Sequence, residues 1–276
     1  MGSGMANRLL GAGFRLTIFN RTAEKAAPFV ERGAKLAPTP REAVTRADTV
    51  ISMVADDSSS RTVWLGEQGA LAGAVPGTVL IESSTLSLPW INQLAAAAAA
   101  RDCDLLDAPV TGSKAQAAAG ELNFLVGGSD RALEKARVAL SVMSRSIVHV
   151  GPSGSGALLK LINNFLCGVQ VASLAEAVAW IEKSGADSGK MLEFLKNGAG
   201  GSPLIKLISE RMSRSDFTPN FLLRLMTKDL GYAVGEANRH SLALTTGLSA
   251  LEVFKQAITN GDGDKDMSAV VEQFRK

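Results

Sequence analysis

The chain has 276 residues, of which 46% are apolar, 20% charged and 5% aromatic, with a formal net charge of +2. That length supports one large or two modest domains with ample core, and so small a charge gives no field for nucleic acid or an anionic membrane, so neither is expected as a partner. Two cysteines, Cys103 and Cys167, exclude a disulfide framework and suit a reducing cytoplasm, while no leader-like segment opens the chain and no unbroken apolar run has the length of a membrane span.

The chain opens on a helical stretch, Met1-Gly2-Ser3-Gly4-Met5-Ala6-Asn7, with no strand before it. Gly11-Ala12-Gly13 breaks that helix, and an apolar strand over 16–19 runs into Asn20-Arg21-Thr22. Further strands are predicted over 49–54, 78–82, 105–110, 122–126 and 147–150, with helices over 23–32, 40–47, 60–64, 89–101 and 130–143. The strands are short continuous apolar runs, as in a sheet covered on both faces. At Gly151-Pro152-Ser153-Gly154-Ser155-Gly156 the alternation stops. A long apolar helix over 157–184 follows, then helices over 188–197, 204–214, 222–238 and 248–260. The expected architecture is α/β: a Rossmann-type domain over 1–152, then an all-helical domain over 153–276 built around the long helix.

In a dinucleotide-binding βαβ unit a strand precedes the first helix, and the ribose-reading residue follows the first glycine of G-x-G-x-x-G by about 20 positions. Counting back from Asn20 or Arg21 reaches Met1 or earlier, so Gly2 is read as the third fingerprint glycine. The first strand and half of the phosphate loop are therefore expected to be missing. That strand would be central, and each backbone group it left buried and unpaired would cost about 1–3 kcal/mol. Poor stability or repacking is expected, and a catalytically impaired binding protein is an alternative outcome. Gly2 and Gly4 would equally suit a flexible terminus.

The helix N-terminus favours a pyrophosphate through its free N–H groups and dipole. Enzymes that use NAD usually carry Asp or Glu at the ribose position; Asn20-Arg21-Thr22 has none. Arg21 can pair with a 2′-phosphate, so NADP is the expected cofactor, with NAD the other possibility. Met53-Val54 and Ser83-Ser84-Thr85 end the next two strands, where ligands lie in open α/β sheets. Ser83-Ser84-Thr85 reads equally as a helix cap before Pro89.

Three stretches carry the remaining chemistry. They are Asp107-Ala108-Pro109-Val110-Thr111-Gly112-Ser113-Lys114; Gly154-Ser155-Gly156-Ala157-Leu158-Leu159-Lys160-Leu161-Ile162-Asn163-Asn164; and 221–230, with Phe221 at its start and Lys228-Asp229-Leu230 at its end. Lys160, Asn163 and Asn164 share one helix face. A lysine among leucines is costly to bury unless it snorkels or finds polar partners, and the two amides supply them.

In order and spacing these stretches resemble the β-hydroxyacid dehydrogenase family, which includes 3-hydroxyisobutyrate dehydrogenase, tartronate semialdehyde reductase and the glyoxylate/succinic semialdehyde reductases. The resemblance covers the chain from Met1 to about Val271. It implies that Lys160 is the catalytic acid/base, giving a proton to a carbonyl oxygen in reduction and taking the hydroxyl proton in oxidation. It implies that Asn164, and secondarily Asn163, hold the substrate, and that Thr111-Gly112-Ser113 hold its carboxylate. Gly112-Ser113-Lys114 resembles the glyoxylate/succinic semialdehyde reductase branch, which makes Lys114 a partner for a remote carboxylate. Thr85 matches the residue at the nicotinamide ribose, Phe221 the aromatic that closes over the cofactor, and Lys228 the lysine beside it. Without the resemblance, Lys228-Asp229 would read as an exposed charge pair. His149 and His240 have no metal-ligand spacing, and no metal is expected.

The implied activity is NADPH-dependent reduction of small carboxylated aldehydes such as glyoxylate or succinic semialdehyde, by a homodimer or homotetramer formed through the helical half. The alternative pairs are 3-hydroxyisobutyrate and tartronate semialdehyde. Imine-reducing relatives generally replace the lysine kept here, and phosphogluconate dehydrogenase has a much larger helical domain.

Overall fold

A computed structural model describes residues 1–275. The chain separates into two compact units, Met1–Lys160 and Leu161–Lys276. In the first, the strands are β1 (Thr17–Ile18), β2 (Lys35–Leu36), β3 (Thr49–Ser52), β4 (Val79–Glu82), β5 (Asp104–Asp107), β6 (Val110–Thr111), β7 (Leu122–Gly127) and β8 (Ser144–Gly151). The helices are α1 (Gly2–Gly11), α2 (Ala27–Val30), α3 (Pro40–Val44), α4 (Asp57–Trp64), α5 (Ala70–Gly73), α6 (Leu88–Ala99), α7 (Lys114–Ala119) and α8 (Asp130–Ser141). Helix α9 (Ser155–Ser184) gives its first six residues to this unit and the rest to the second.

The sheet is in two pieces. β1 and β2 form a parallel ribbon, and the other six strands run in the order β3-β4-β5-β7-β6, with β8 also on β7. β3, β4 and β5 are parallel, as the continuous apolar runs require. Among the described residues β1 pairs only with β2, and β3 only with β4. Successive side chains of β4 feed opposite layers: Val79 and Ile81 join Met5, Leu106 and Phe124, while Leu80 joins Trp64, Trp90 and Leu94. This is the two-sided burial expected of the sheet.

Several local departures from the expected elements have physical causes. The strand expected over 105–110 is broken at Pro109, which has no N–H for a ladder, so β5 and β6 are separate. The helix expected over 23–32 divides into a 3-10 turn, Ala23–Ala26, and α2, with Pro28 in the first turn of α2. Helix α7 lies where the sequence suggested only a turn, because Ser113 and Gln116 form a reciprocal capping box ahead of four alanines. β2 is two exposed residues long and carries no readable pattern.

The second unit is helical: the remainder of α9, α10 (Ser188–Asn197), α11 (Pro203–Ser213), α12 (Leu223–Arg239), α13 (Thr245–Thr259), a 3-10 segment Met267–Val271 and α14 (Glu272–Arg275). By length and composition alone α9 could cross a membrane. Its Val171, Leu174, Ala175 and Val178 instead form the centre of this unit's core with Ile208, Met226, Leu230 and Phe254. Those burials explain why a helix so apolar is stable here.

Candidate functional site

In the first unit the expected cofactor residues follow the carboxyl ends of parallel strands, 20–22 after β1, Met53 and Val54 after β3 and Thr85 after β4, with Gly2 beside the end of β3. Helix α1 has no side-chain cap at its N-terminus, leaving its first N–H groups available to an anion. A Cβ on Gly2 would stand 3.6 Å from Met53 Cβ, which places this helix start beside the end of β3. Gly2 therefore has room for a side chain. Gly4 does not: its Cβ would fall 2.8 Å from the Ala117 backbone, so Gly4 is what lets α1 pack on α7. Sequence spacing drew attention to Gly2 and missed this packing glycine, because α7 was not foreseen.

Asn20 Oδ1 accepts from Thr22 N at 2.9 Å, a local turn that leaves Arg21 exposed beyond β1. Val54 N donates to Ser84 Oγ at 2.7 Å, drawing the ends of β3 and β4 together, with Thr85 the next residue. The hydroxyls of Ser52 and Ser83, at the ends of these strands, are buried without a hydrogen-bond partner among the described residues. An uncapped helix start, small side chains and orphaned hydroxyls fit a dinucleotide. The helix-cap alternative for 83–85 does not describe the geometry, since Ser87 caps α6 through Trp90 N.

Thr111-Gly112-Ser113 forms the turn between β6 and α7. Thr111 Oγ1 accepts from Asn123 Nδ2 at 3.3 Å. Gly112 has φ +119°, a conformation that favours glycine. Ser113 is occupied as the cap of α7: its N donates to Gln116 Oε1 at 2.9 Å, its hydroxyl bonds the same oxygen, and its Oγ accepts from Ala115 N at 3.2 Å. Thr111 is thus the hydroxyl of this turn less committed to local capping, and Lys114 opens α7.

Asp107, in the first of the three motif stretches, was given no role by sequence reasoning. It is fully buried, and its Oδ1 and Oδ2 accept from Gly154 N at 2.7 Å and Ala157 N at 2.8 Å. A carboxylate from β5 therefore caps α9 across 47 residues of sequence. Burial pushes its pKa up, against the backbone donors that pull it down. Two glycines make the joint possible. A Cβ on Gly127 would lie 2.6 Å from Asp107 Oδ1, and one on Gly156 would lie 2.6 Å from Asp107 O and collide with Leu125 O. Lys160, half-buried, follows Gly156 by one helical turn.

In the second unit Asn164 is buried, and its Nδ2 donates to Asp229 Oδ2 at 2.6 Å. Asn163 Nδ2 donates to Asn164 Oδ1 at 3.0 Å, so the two amides and Asp229 form one oriented chain. Asp229 Oδ1 faces Lys228 Nζ at 2.7 Å, and Lys228 lies over the Tyr232 ring at 4.6 Å. Asp229 is only 1% exposed, so the reading of Lys228-Asp229 as a surface charge pair is wrong. Adjacent unlike charges on a helix usually face water, and nothing in the local sequence announces Asn164 as a partner 65 residues away. Phe221 packs against this unit's core, and its backbone is fixed at both ends: N to Asp266 Oδ2 at 3.0 Å, O from Met267 N at 2.8 Å.

The two histidines have structural partners, His149 with Asp130 and Gly128 O, His240 with Glu236. Among the described residues no cluster suits a metal ion.

Residues 1–151 match the family described as the NAD binding domain of 6-phosphogluconate dehydrogenase. Residues 154–274 match the one described as NAD-binding of NADP-dependent 3-hydroxyisobutyrate dehydrogenase. The chain is 35% identical to the NAD-dependent L-serine dehydrogenase of Pseudomonas aeruginosa over 281 residues, covering 99% of this chain and 94% of that protein. It is 34% identical to glyoxylate/succinic semialdehyde reductase 2, chloroplastic, of Arabidopsis thaliana over 275 residues, covering 100% of this chain and 77% of the relative. Among solved structures, the 3-hydroxyisobutyrate dehydrogenase of Mycobacterium tuberculosis with L-serine is 30% identical, with a TM-score of 0.91, covering 100% of this chain and 96% of that one.

Proposed function

The chain belongs to the β-hydroxyacid dehydrogenase family, and we propose on that premise that it is an NADPH-dependent reductase of small carboxylated aldehydes, of the glyoxylate or succinic semialdehyde type. At the coarser level it is an NAD(P)-dependent oxidoreductase acting on the hydroxyl/aldehyde couple. The observation that carries the reading is one helix face: half-buried Lys160, then Asn163 and Asn164, whose amides are oriented by buried Asp229.

Gly2, Asn20, Arg21, Thr22, Met53, Val54, Thr85, Phe221 and Lys228 would hold the cofactor. Bound there, the nicotinamide supplies the hydride that such a reduction needs. The chain's own residues do the rest. Lys160 Nζ gives a proton to the aldehyde oxygen, so the product leaves as an alcohol; in the reverse direction the same nitrogen takes the hydroxyl proton. Asn164 and Asn163 hold the reacting oxygen, and Thr111 with the Gly112 backbone takes the carboxylate, which Ser113 joins only by releasing Gln116. Lys114 would meet a second carboxylate-bearing end. Arg21 supports NADP, since a guanidinium matches a 2′-phosphate and no acid stands at this position to grip ribose hydroxyls.

A homodimer or homotetramer is part of the proposal, supported by Trp180 and Phe194, 79% and 77% exposed on the helical unit. A chain of 276 residues with two cysteines, Cys103 and Cys167, has little use for an oxidising environment, which supports a reducing compartment such as the cytoplasm. The deciding experiment is a substrate panel with each cofactor: glyoxylate, succinic, tartronate and methylmalonate semialdehydes in reduction, 3-hydroxyisobutyrate and L-serine in oxidation. The highest kcat/KM is expected for NADPH with glyoxylate or succinic semialdehyde. Preference for NADH, or turnover confined to L-serine or 3-hydroxyisobutyrate, refutes the assignment.

A further inference from the structure

Glu82 ends β4 and is fully buried, although no step of the proposed chemistry uses it. Its two oxygens face different parts of the first unit. Oε2 accepts from Ser60 Oγ and from Trp64 Nε1, both at 2.7 Å. Ser60 Oγ in turn accepts from Trp90 Nε1 at 2.9 Å, which ties this oxygen to the aromatic layer beneath the sheet. Oε1 accepts from Ser84 N at 3.0 Å, closing the turn that follows the strand. Ser84 Oγ then takes Val54 N at 2.7 Å. A second tie, Ser87 N and Oγ to the Asp57 carboxylate at 3.0 and 2.6 Å, holds the far end of the same turn.

Among the described residues the donors to Glu82 are neutral and none forms an ion pair with it, so hydrogen bonds alone offset the loss of solvation that a buried carboxylate suffers. An apolar residue would serve the core without that cost. What the carboxylate alone provides is acceptance on both oxygens at once. A glutamine offers one acceptor and one donor, so either the Ser84 N–H or the Trp64 N–H would face another N–H. The arrangement is explained if the turn, rather than the core, requires it.

We propose that Glu82 is a positioning residue of the cofactor site: it anchors the β4 turn to the aromatic layer, and through Ser84 it fixes Val54 and Thr85 where the cofactor meets them. This rests on the assignment of Val54 and Thr85 to the cofactor made above. Ser84 is the relay; Oε2 is anchored twice, by Trp64 and by Ser60 on Trp90, so Glu82 stays in place when the Trp64 bond alone is lost.

The test uses the full chain and three variants, Glu82→Gln, Ser84→Ala and Trp64→Phe. Dissociation constants for NADPH and NADP are measured by calorimetry, KM and kcat by steady-state kinetics, and exchange of the Val54 and Ser84 amides by mass spectrometry. Glu82→Gln and Ser84→Ala are each expected to raise cofactor Kd and KM by about tenfold, with kcat at saturating cofactor within about twofold of wild type. Both should speed amide exchange over 53–57 and 83–87. Trp64→Phe is expected to lower the melting temperature while leaving Kd within about twofold. Wild-type Kd in Glu82→Gln and Ser84→Ala overturns the inference alone. So does a Trp64→Phe variant that loses cofactor as severely as they do, since that marks general loosening. A wild-type chain that binds neither cofactor overturns the functional reading with it. If Glu82→Gln does not fold, Ser84→Ala, which removes no buried charge, decides the matter by the same measurements.

Discussion

Gly156→Ala is the sharpest perturbation of the joint that begins α9. The added Cβ would lie 2.6 Å from Asp107 O, where ordinary contact begins at 3.4 Å, and nearer still to Leu125 O. Both obstacles are strand backbone, which cannot swing aside, so the start of α9 must withdraw by on the order of 1 Å. Overpacking of this kind costs about 1–3 kcal/mol. At about 2–4 °C per kcal/mol for a domain of this size, the melting temperature should fall by roughly 2–12 °C. Lys160 is four residues along the same helix and moves with it. A displacement near 1 Å of a proton-transferring group can cost about 100-fold in rate. Gly168→Ala is the control: the nearest atoms its Cβ would meet are side-chain atoms of Leu230, at 2.8–2.9 Å, which yield more readily than strand backbone. Melting curves and kcat at saturating cofactor read both effects. If Gly156→Ala melts low but keeps kcat within about threefold, or if Gly168→Ala loses as much rate, the claim that this joint aims Lys160 is wrong.

Lys160→Ala should lower kcat by about 10²–10⁴ with cofactor Kd unchanged within about twofold; near-normal turnover removes the lysine from the chemistry. Asp229→Ala strips an acceptor from Asn164 and a counter-charge from Lys228, and should cost about 3 kcal/mol in urea denaturation along with most of kcat/KM; a loss below about 0.5 kcal/mol contradicts the buried network. Arg21→Ala should cut the NADPH-over-NADH preference by about 10- to 100-fold, as expected for one charge-assisted phosphate contact, and an unaltered ratio speaks against that role. Burial raises the Asp107 carboxyl above its ordinary value, so the folded chain takes up a proton there more readily than the unfolded chain. The stability contributed by this group is then greatest below the unfolded pKa and declines as pH rises through the folded one. The melting-temperature difference between wild type and Asp107→Asn should therefore move against wild type as pH rises across the acid range, and a flat or rising difference contradicts the shift.

Much of the architecture was visible in the chain because burial writes a period into sequence. The β4 residues Val79, Leu80 and Ile81 are all apolar because both faces are covered, and α9 is apolar because it runs through a core. Lys160, Asn163 and Asn164 were legible because helical spacing alone puts them on one face. What stayed hidden depends on contacts between distant segments. Asp229 resembles any helix-surface acid until Asn164 arrives beside it, and Glu82 resembles any polar strand end until Trp64 and Ser60 fold over it. Ser113 was visible as a hydroxyl but not as the cap of a helix, because a capping box needs a helix to be expected there. Gly4 was passed over for the same reason: only the approach of α7 makes its missing side chain matter.

The division of the sheet has a thermal consequence. The β1–β2 ribbon has two residues in each strand, and a two-stranded ribbon is marginal by itself. It is held by Phe14 and Leu16 against the neighbouring hydrophobic cluster and by a bond between Arg32 and Asn7, not by a continuous ladder. Its local opening should therefore lie at the low end of the unit's range, well below that of β4 and β5. Arg21 rides on this ribbon. Whatever orders the ribbon must offset its conformational entropy, a term that grows with temperature. If Arg21 reads the ribose phosphate as proposed, that discrimination should thus fade on warming before the first unit unfolds, making cofactor choice the first property of this protein to melt.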